Sequence, residues 1–165
     1  MARRSAAVDH AAALSAPIDR VGWASDLIRV EIAVWERVDA RLRARHEISL
    51  AFFETLYFIS GAPEGAMRVG DLARALGVSV GGASKLVDRV ERAGLIVRQP
   101  DLADRRASRV TLAPAGKRKL TTSTKTYDAE VGQLLDLALN TDEQQQIGEY
   151  VARLLRCINE PGSPA

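Results

Sequence analysis

Residues 76–116 read LGVSVGGASKLVDRVERAGLIVRQPDLADRRASRVTLAPAG. Gly77 ends one short helix, because a glycine takes the left-handed backbone that closes a helix without steric cost. Ser79 is placed to cap the next, its side-chain oxygen accepting from an N–H of the first turn. That second helix stops at Gly94. Leu95 to Gln99 and Ser108 to Leu112 then read as two short strands, with Pro100 and Asp101 opening a charged loop between them. Two helices across a tight turn, followed by a β-hairpin, make a helix-turn-helix with a wing. That shape fits the grooves of duplex DNA.

Working outward, Val69 to Leu76 supplies the first helix of the pair, with Leu72, Ala73 and Leu76 inward. Ala83, Leu86, Val87 and Val90 form the inner face of the second. Upstream, Ile48 to Ile59 (ISLAFFETLYFI) is almost wholly apolar, with Glu54 its one charge. Twelve residues favour a central buried helix over a strand. Pro17 can open a long helix to about Arg45. Its apolar stripes run through Ile18, Val21, Ile28, Ile32, Trp35 and Leu42, and through Trp23, Leu27, Val30, Val34 and Val38. Downstream, Pro114 starts a helix that reaches Ala138 and breaks at Asn140 and Thr141. Thr141 to Gln144 has the form of a capping box. The last helix carries Ile147, Val151, Leu154, Leu155 and Ile158.

The fold class is mainly α. Residues 47–113 form a winged helix-turn-helix DNA-binding domain with a small β-hairpin wing. The long N- and C-terminal helices, 17–46 and 114–160, form a helical dimerisation domain. Residues 1–16 and 161–165 read as flexible tails. Two terminal helices with wide apolar faces have too little partner surface within one small chain, which argues for self-association.

The 165 residues carry a formal net charge of +2, but the charge is segregated. From Arg68 to Lys119 there are 12 Lys or Arg against 5 Asp or Glu, while the remainder holds 11 basic and 16 acidic residues. A basic segment in an otherwise acidic chain is the footprint of a polyanion-binding face. A helix entering the major groove needs small or polar residues at its front, and Ser79, Gly82 and Ser84 meet that need. Lys85 reaches a phosphate or a guanine edge, and Arg89, one turn later, holds a phosphate. Arg105 and Arg106, at the tip of the loop between the strands, suit a minor groove, whose negative potential attracts guanidinium groups. Asp104 can pair with a nearby arginine and fix its direction.

Other functions find little purchase. There is no phosphate loop, dinucleotide glycine motif or metalloprotease helix, so neither catalysis nor a cofactor is expected. His10, His46 and the single cysteine, Cys157, lie far apart without metal-ligand spacing. One cysteine permits no internal disulfide, which suits a reducing cytoplasm. Asp9 and His10 interrupt the alanine-rich start, which argues against an export signal. No apolar run is long enough to span a membrane.

The pattern Asp104-x-Arg106, then Val110-Thr-Leu112 and Gly116, resembles the wing of the MarR family of regulators. The preceding GVSVGGASKLVDRVERAGLIVRQ is similar to that family's recognition helix and first wing strand, and the helix order fits from about Pro17 to Ile158. Ala113 departs from the pattern, since the family often has threonine there, which removes one local cap. The resemblance implies a homodimer with interlocked first and last helices, reading a pseudo-palindromic double-stranded operator. By carry-over, Ser84, Lys85 and Arg89 lie on the DNA-facing helix and Arg106 at the wing tip. It further implies a repressor released by a small aromatic or phenolic effector. A site for that effector would draw on Trp23, Trp35, His46, Phe53 and Tyr57, since apolar walls with a few polar groups suit such ligands. The alternatives are a winged helix used for protein contact, or an activator or global DNA organiser without ligand response.

Overall fold

In a computed structural model the protein is described over residues 19–101 and 108–159. It divides into two compact units between Val34 and Trp35, inside the first helix. The elements are α1 (Arg20–His46), α2 (Leu50–Gly61), a 3-10 turn (Pro63–Gly65), β1 (Ala66–Arg68), α3 (Val69–Ala75) and α4 (Val80–Arg92). They continue with β2 (Ile96–Pro100), β3 (Ser108–Leu112), α5 (Pro114–Asp136) and α6 (Thr141–Asn159). Mostly helical, with one small antiparallel sheet, the chain has the winged-helix architecture expected from sequence. Pro17 lies outside the described residues.

The larger unit is organised by α2. Leu42 of α1, Leu56 and Ile59 of α2, Leu72 of α3, Val87 and Val90 of α4, Ile96 of β2 and Val110 of β3 are all essentially inaccessible to solvent. Each such side chain contributes about 1.5–3 kcal/mol of burial. Two polar groups start α2. The Ser49 hydroxyl accepts from the Phe52 N–H at 3.2 Å, and the buried Asp39 carboxylate accepts from the Leu50 N–H at 2.7 Å. A carboxylate suits that end, where free N–H groups concentrate positive charge.

The sheet has three strands, not two, in the order β1-β3-β2. The hairpin pairs Ile96 with Leu112 through Pro100 with Ser108, and β1 adds on the far side, Ala66 opposite Thr111 through Arg68 opposite Arg109. A second difference is the cap of α6. The reciprocal box is one residue earlier than Thr141 to Gln144: the Asn140 N–H donates to Glu143 at 2.8 Å and the Glu143 N–H to Asn140 at 3.0 Å. Asparagine supplies the side-chain acceptor at that position. Gln144 instead donates to the Asp136 carboxylate and the Leu139 carbonyl, closing the turn between α5 and α6.

Gly116 sets how closely α5 sits on the hairpin. A Cβ there would lie 1.9 Å from the Leu95 carbonyl oxygen. That carbonyl accepts from the Ala113 N–H at 2.9 Å. Ala113 starts α5 with no side-chain cap, as its departure from the threonine pattern implies.

Candidate nucleic-acid interface

The turn between α3 and α4 is fixed by backbone bonds. Gly77 adopts a φ of 66°, and the Val78 N–H donates to the Ala73 carbonyl at 3.0 Å. Ser79 then caps α4, its hydroxyl accepting from the Gly82 N–H at 3.1 Å. Ala83, Val87 and Val90 of α4 are fully buried. At 100° per residue, Gly81, Ser84, Lys85 and Asp88 therefore lie on the outer side of the helix. Ser84 is half-buried, and Lys85 and Arg89 are exposed.

The paired glycines do not serve a turn. Positive φ occurs at Gly65, Gly77 and Gly94, not at Gly81 or Gly82. A Cβ on Gly82 would meet the Ser79 hydroxyl at 3.3 Å, whereas one on Gly81 would meet nothing within 4 Å. Gly81 thus costs about 1 kcal/mol of helix propensity relative to alanine with no internal packing demand to explain it. What it does leave is bare backbone on the outer face of α4.

Three carboxylate and arginine contacts tie α4 to the wing, and the sequence reading missed them. The Arg98 guanidinium of β2 lies 2.5 Å from Asp88 and 3.3 Å from Glu91, and the Arg98 N–H donates to Glu91 at 3.2 Å. Gly94, at a φ of 71°, breaks the helix between these residues, so it is the turn from α4 into β2 that brings the groups together. At the base of the wing, Arg68 donates to the buried Asp101 at 2.6 Å. Arg89 leans toward α2, its guanidinium 5.4 Å over the Phe52 ring. Asp104, Arg105 and Arg106 lie outside the described residues.

Two of the five residues named for an effector share a cavity. Phe53 and Tyr57 line a cavity of about 340 Å³ together with Glu54, Phe58, Thr124, Tyr127 and Asp128. Trp35 and His46 are not among its lining residues, and Trp23 is an exposed residue of α1 in the smaller unit. His46 instead shares a hydrogen bond with Thr126 at 2.7 Å, and Lys119 donates to its carbonyl at 2.9 Å, capping α1. Burial, then the charges of Lys119 and Arg45, push the His46 imidazole below its ordinary value. Burial, then Glu54 and Tyr57, push the Tyr127 hydroxyl up. At Glu130, burial acts upward but is outweighed by hydrogen bonds and charge from Arg37 and Arg41, so its carboxyl sits below its usual range. Among the described residues no group of three or more His, Cys, Asp or Glu could hold a metal ion, and no helix is long and apolar enough to cross a membrane.

Residues 47–107 match the model of the MarR family. The matched segment runs from the start of α2 through β2. Known structures share the fold well beyond that segment. A MarR family transcriptional regulator from Streptomyces coelicolor, in complex with DNA, aligns with a TM-score of 0.75 at 18% identity, covering 88% of this chain and 94% of that one. The S. aureus MepR–DNA complex gives 0.69 at 23% identity, covering 79% and 95%. Wild-type MarR from E. coli, in its apo form, gives 0.67 at 20% identity, covering 85% and 99%. The shared fold thus takes in the long flanking helices as well as the winged helix.

Proposed function

We propose that the chain is a dimeric, sequence-specific DNA-binding regulator of transcription, a repressor that lets go of its operator when a small aromatic effector binds. The observation that carries the DNA reading is the outer face of α4, where bare backbone at Gly81 adjoins Ser84 and Lys85. Backbone without side chains permits close approach to base edges, and the neighbouring hydroxyl and ammonium supply base or phosphate contacts. Arg105 and Arg106, which lie outside the described residues, are proposed from their residue type to add minor-groove contacts, with Asp104 as their partner. Two of the structurally similar regulators were solved with DNA, which favours the same use here. Self-association is supported by α6, whose Ile147, Tyr150, Val151, Leu154, Leu155 and Ile158 stay between 42% and 70% exposed within one chain. A helix with so wide an uncovered apolar face needs a partner. A symmetric pair spaces its two α4 helices for half-sites about 10 base pairs apart.

The test is retardation of the duplex upstream of the protein's own gene across a salt series. Specific binding should weaken steeply with salt as counterions return to the phosphates. Lys85→Ala should reduce the log–log salt slope by about 0.9 if Lys85 neutralises one phosphate. Arg106→Ala should lower affinity while leaving the dimer intact. Indifference to every duplex at low salt would turn the reading toward a winged helix used for protein contact.

A further inference from the structure

The first turn of α4 presents a single side chain to its surroundings. It reads Val80-Gly81-Gly82-Ala83. The glycines carry no side chain, and Ala83 is fully buried. Val80 is 61% exposed. It does not cap α4, because Ser79 supplies the cap. Nor does it serve the core. Helical period aligns it with Val87, seven residues on and fully buried, so its exposure marks an apolar stripe that runs on past the packed layer. Val80 borders an open recess together with Val69, Ala73 and Val78, all apolar, and Val78 is itself 47% exposed. Exposed valines scattered singly are ordinary. Two of them flanking the cap of the same helix, ahead of paired glycines, are not scattered.

We infer that Val80 reads the 5-methyl group of a thymine in the major groove, and so sets part of the protein's sequence preference. The inference rests on the DNA-binding reading above and adds to it the chemistry by which one base is chosen. Recognition helices meet base edges with their N-terminal residues. The polar positions of a base edge require a donor or an acceptor, and valine has neither. The thymine methyl is the apolar feature that the major groove displays, and cytosine lacks it. Branching at Cβ restricts χ1, so Val80 loses little freedom on contact. The backbone beneath it is already fixed, by the Ser79 cap and by the bond from the Val78 N–H to the Ala73 carbonyl. Gly81 and Gly82 place no bulk beside it that would hold the helix away from the base. Ser84, one turn on, shares its flank and is placed for a neighbouring base or phosphate.

The test uses the full chain and the duplex upstream of its own gene, with each thymine replaced in turn by deoxyuridine. That change removes the methyl and keeps every hydrogen-bonding group. Burying one methyl is worth about 0.8 kcal/mol, or about fourfold in affinity. The wild type should lose about that factor at one thymine of each half-site, read by fluorescence anisotropy at low salt. Val80→Ala should lose a similar factor on the thymine duplex and no more on the matching deoxyuridine duplex, a non-additive cycle. Alanine favours helix over valine, so this variant should unfold at no lower urea concentration than the wild type. Wild-type affinity that ignores every thymine methyl would overturn the inference and leave the DNA reading standing. So would a Val80→Ala variant as sensitive to the methyl as the wild type, because Val80 would then act without touching it. Failure to bind any duplex would overturn both.

Discussion

A single hydrogen atom on Gly116 decides whether α5 can rest on the hairpin. The missing methyl would overlap the Leu95 carbonyl, which is backbone and cannot swing aside. Gly116→Ala is therefore expected to cost about 1–3 kcal/mol by overpacking, read as a lower urea midpoint with unchanged slope. Ser79→Ala should cost about 1 kcal/mol through the lost cap of α4. Glu130 gives a pH signature. Its folded carboxyl lies below the ordinary value of 4.5, so its contribution is complete above that value and is lost as pH falls through the lower folded one. Wild type should accordingly exceed Glu130→Gln in stability at neutral pH, and the gap should close on acidification below pH 4.5, followed by urea melts across pH. A gap that widened with acid would contradict the arginine clasp.

Between elements, the wing and α4 are held by Arg98 against Asp88 and Glu91. These groups are partly exposed, so their loss should change stability by no more than about 1 kcal/mol. In the proposed DNA complex orientation is the greater matter, because a misplaced wing would miss its groove. Arg98→Gln should lower DNA affinity on the order of tenfold, equivalent to about 1.4 kcal/mol, with helicity unchanged by circular dichroism. A double-mutant cycle with Asp88→Asn should be non-additive; additive losses would mean that the two act separately. This contact also marks where the sequence stopped being legible. Gly77, Ser79 and Gly94 announce α4 because caps and turns are local chemistry. Arg98 with Asp88 depends on how the turn aims β2 back at α4, and the strand β1 depends on a distant partner in β3. Ala66-Met67-Arg68 is too short to show a period, and its ladder is with Thr111 to Arg109. The cap of α6 slipped by one residue because Asn140 and Thr141 can both accept from a helix N-terminus, and the adjoining Glu143 and Gln144 could each complete a box. Of the candidate site, the small and polar front of α4 is legible in residue type, whereas which aromatic residues share a cavity is not. Trp35, His46, Phe53 and Tyr57 share apolar or aromatic character, and only α5, through Tyr127 and Asp128, selects which of them line one cavity.

For the whole molecule, the proposed activity needs two copies, and α6 is where that requirement can be broken without touching α4 or the wing. Leu154 is 44% exposed in the single chain, so Leu154→Arg removes little internal packing. In a dimer the same arginine would be buried without a partner, a cost that a cluster of apolar neighbours cannot offset. The wild-type melting temperature should rise with protein concentration, because association stabilises only the folded form. The variant should sediment at half the wild-type mass, lose that concentration dependence, and bind a full operator no better than a half-site. These three readouts divide the possibilities. Half mass with full operator affinity would mean that one winged helix suffices, and the symmetric-operator proposal would fail while the DNA face stood. Wild-type mass with unaltered melting would place self-association on some surface other than α6.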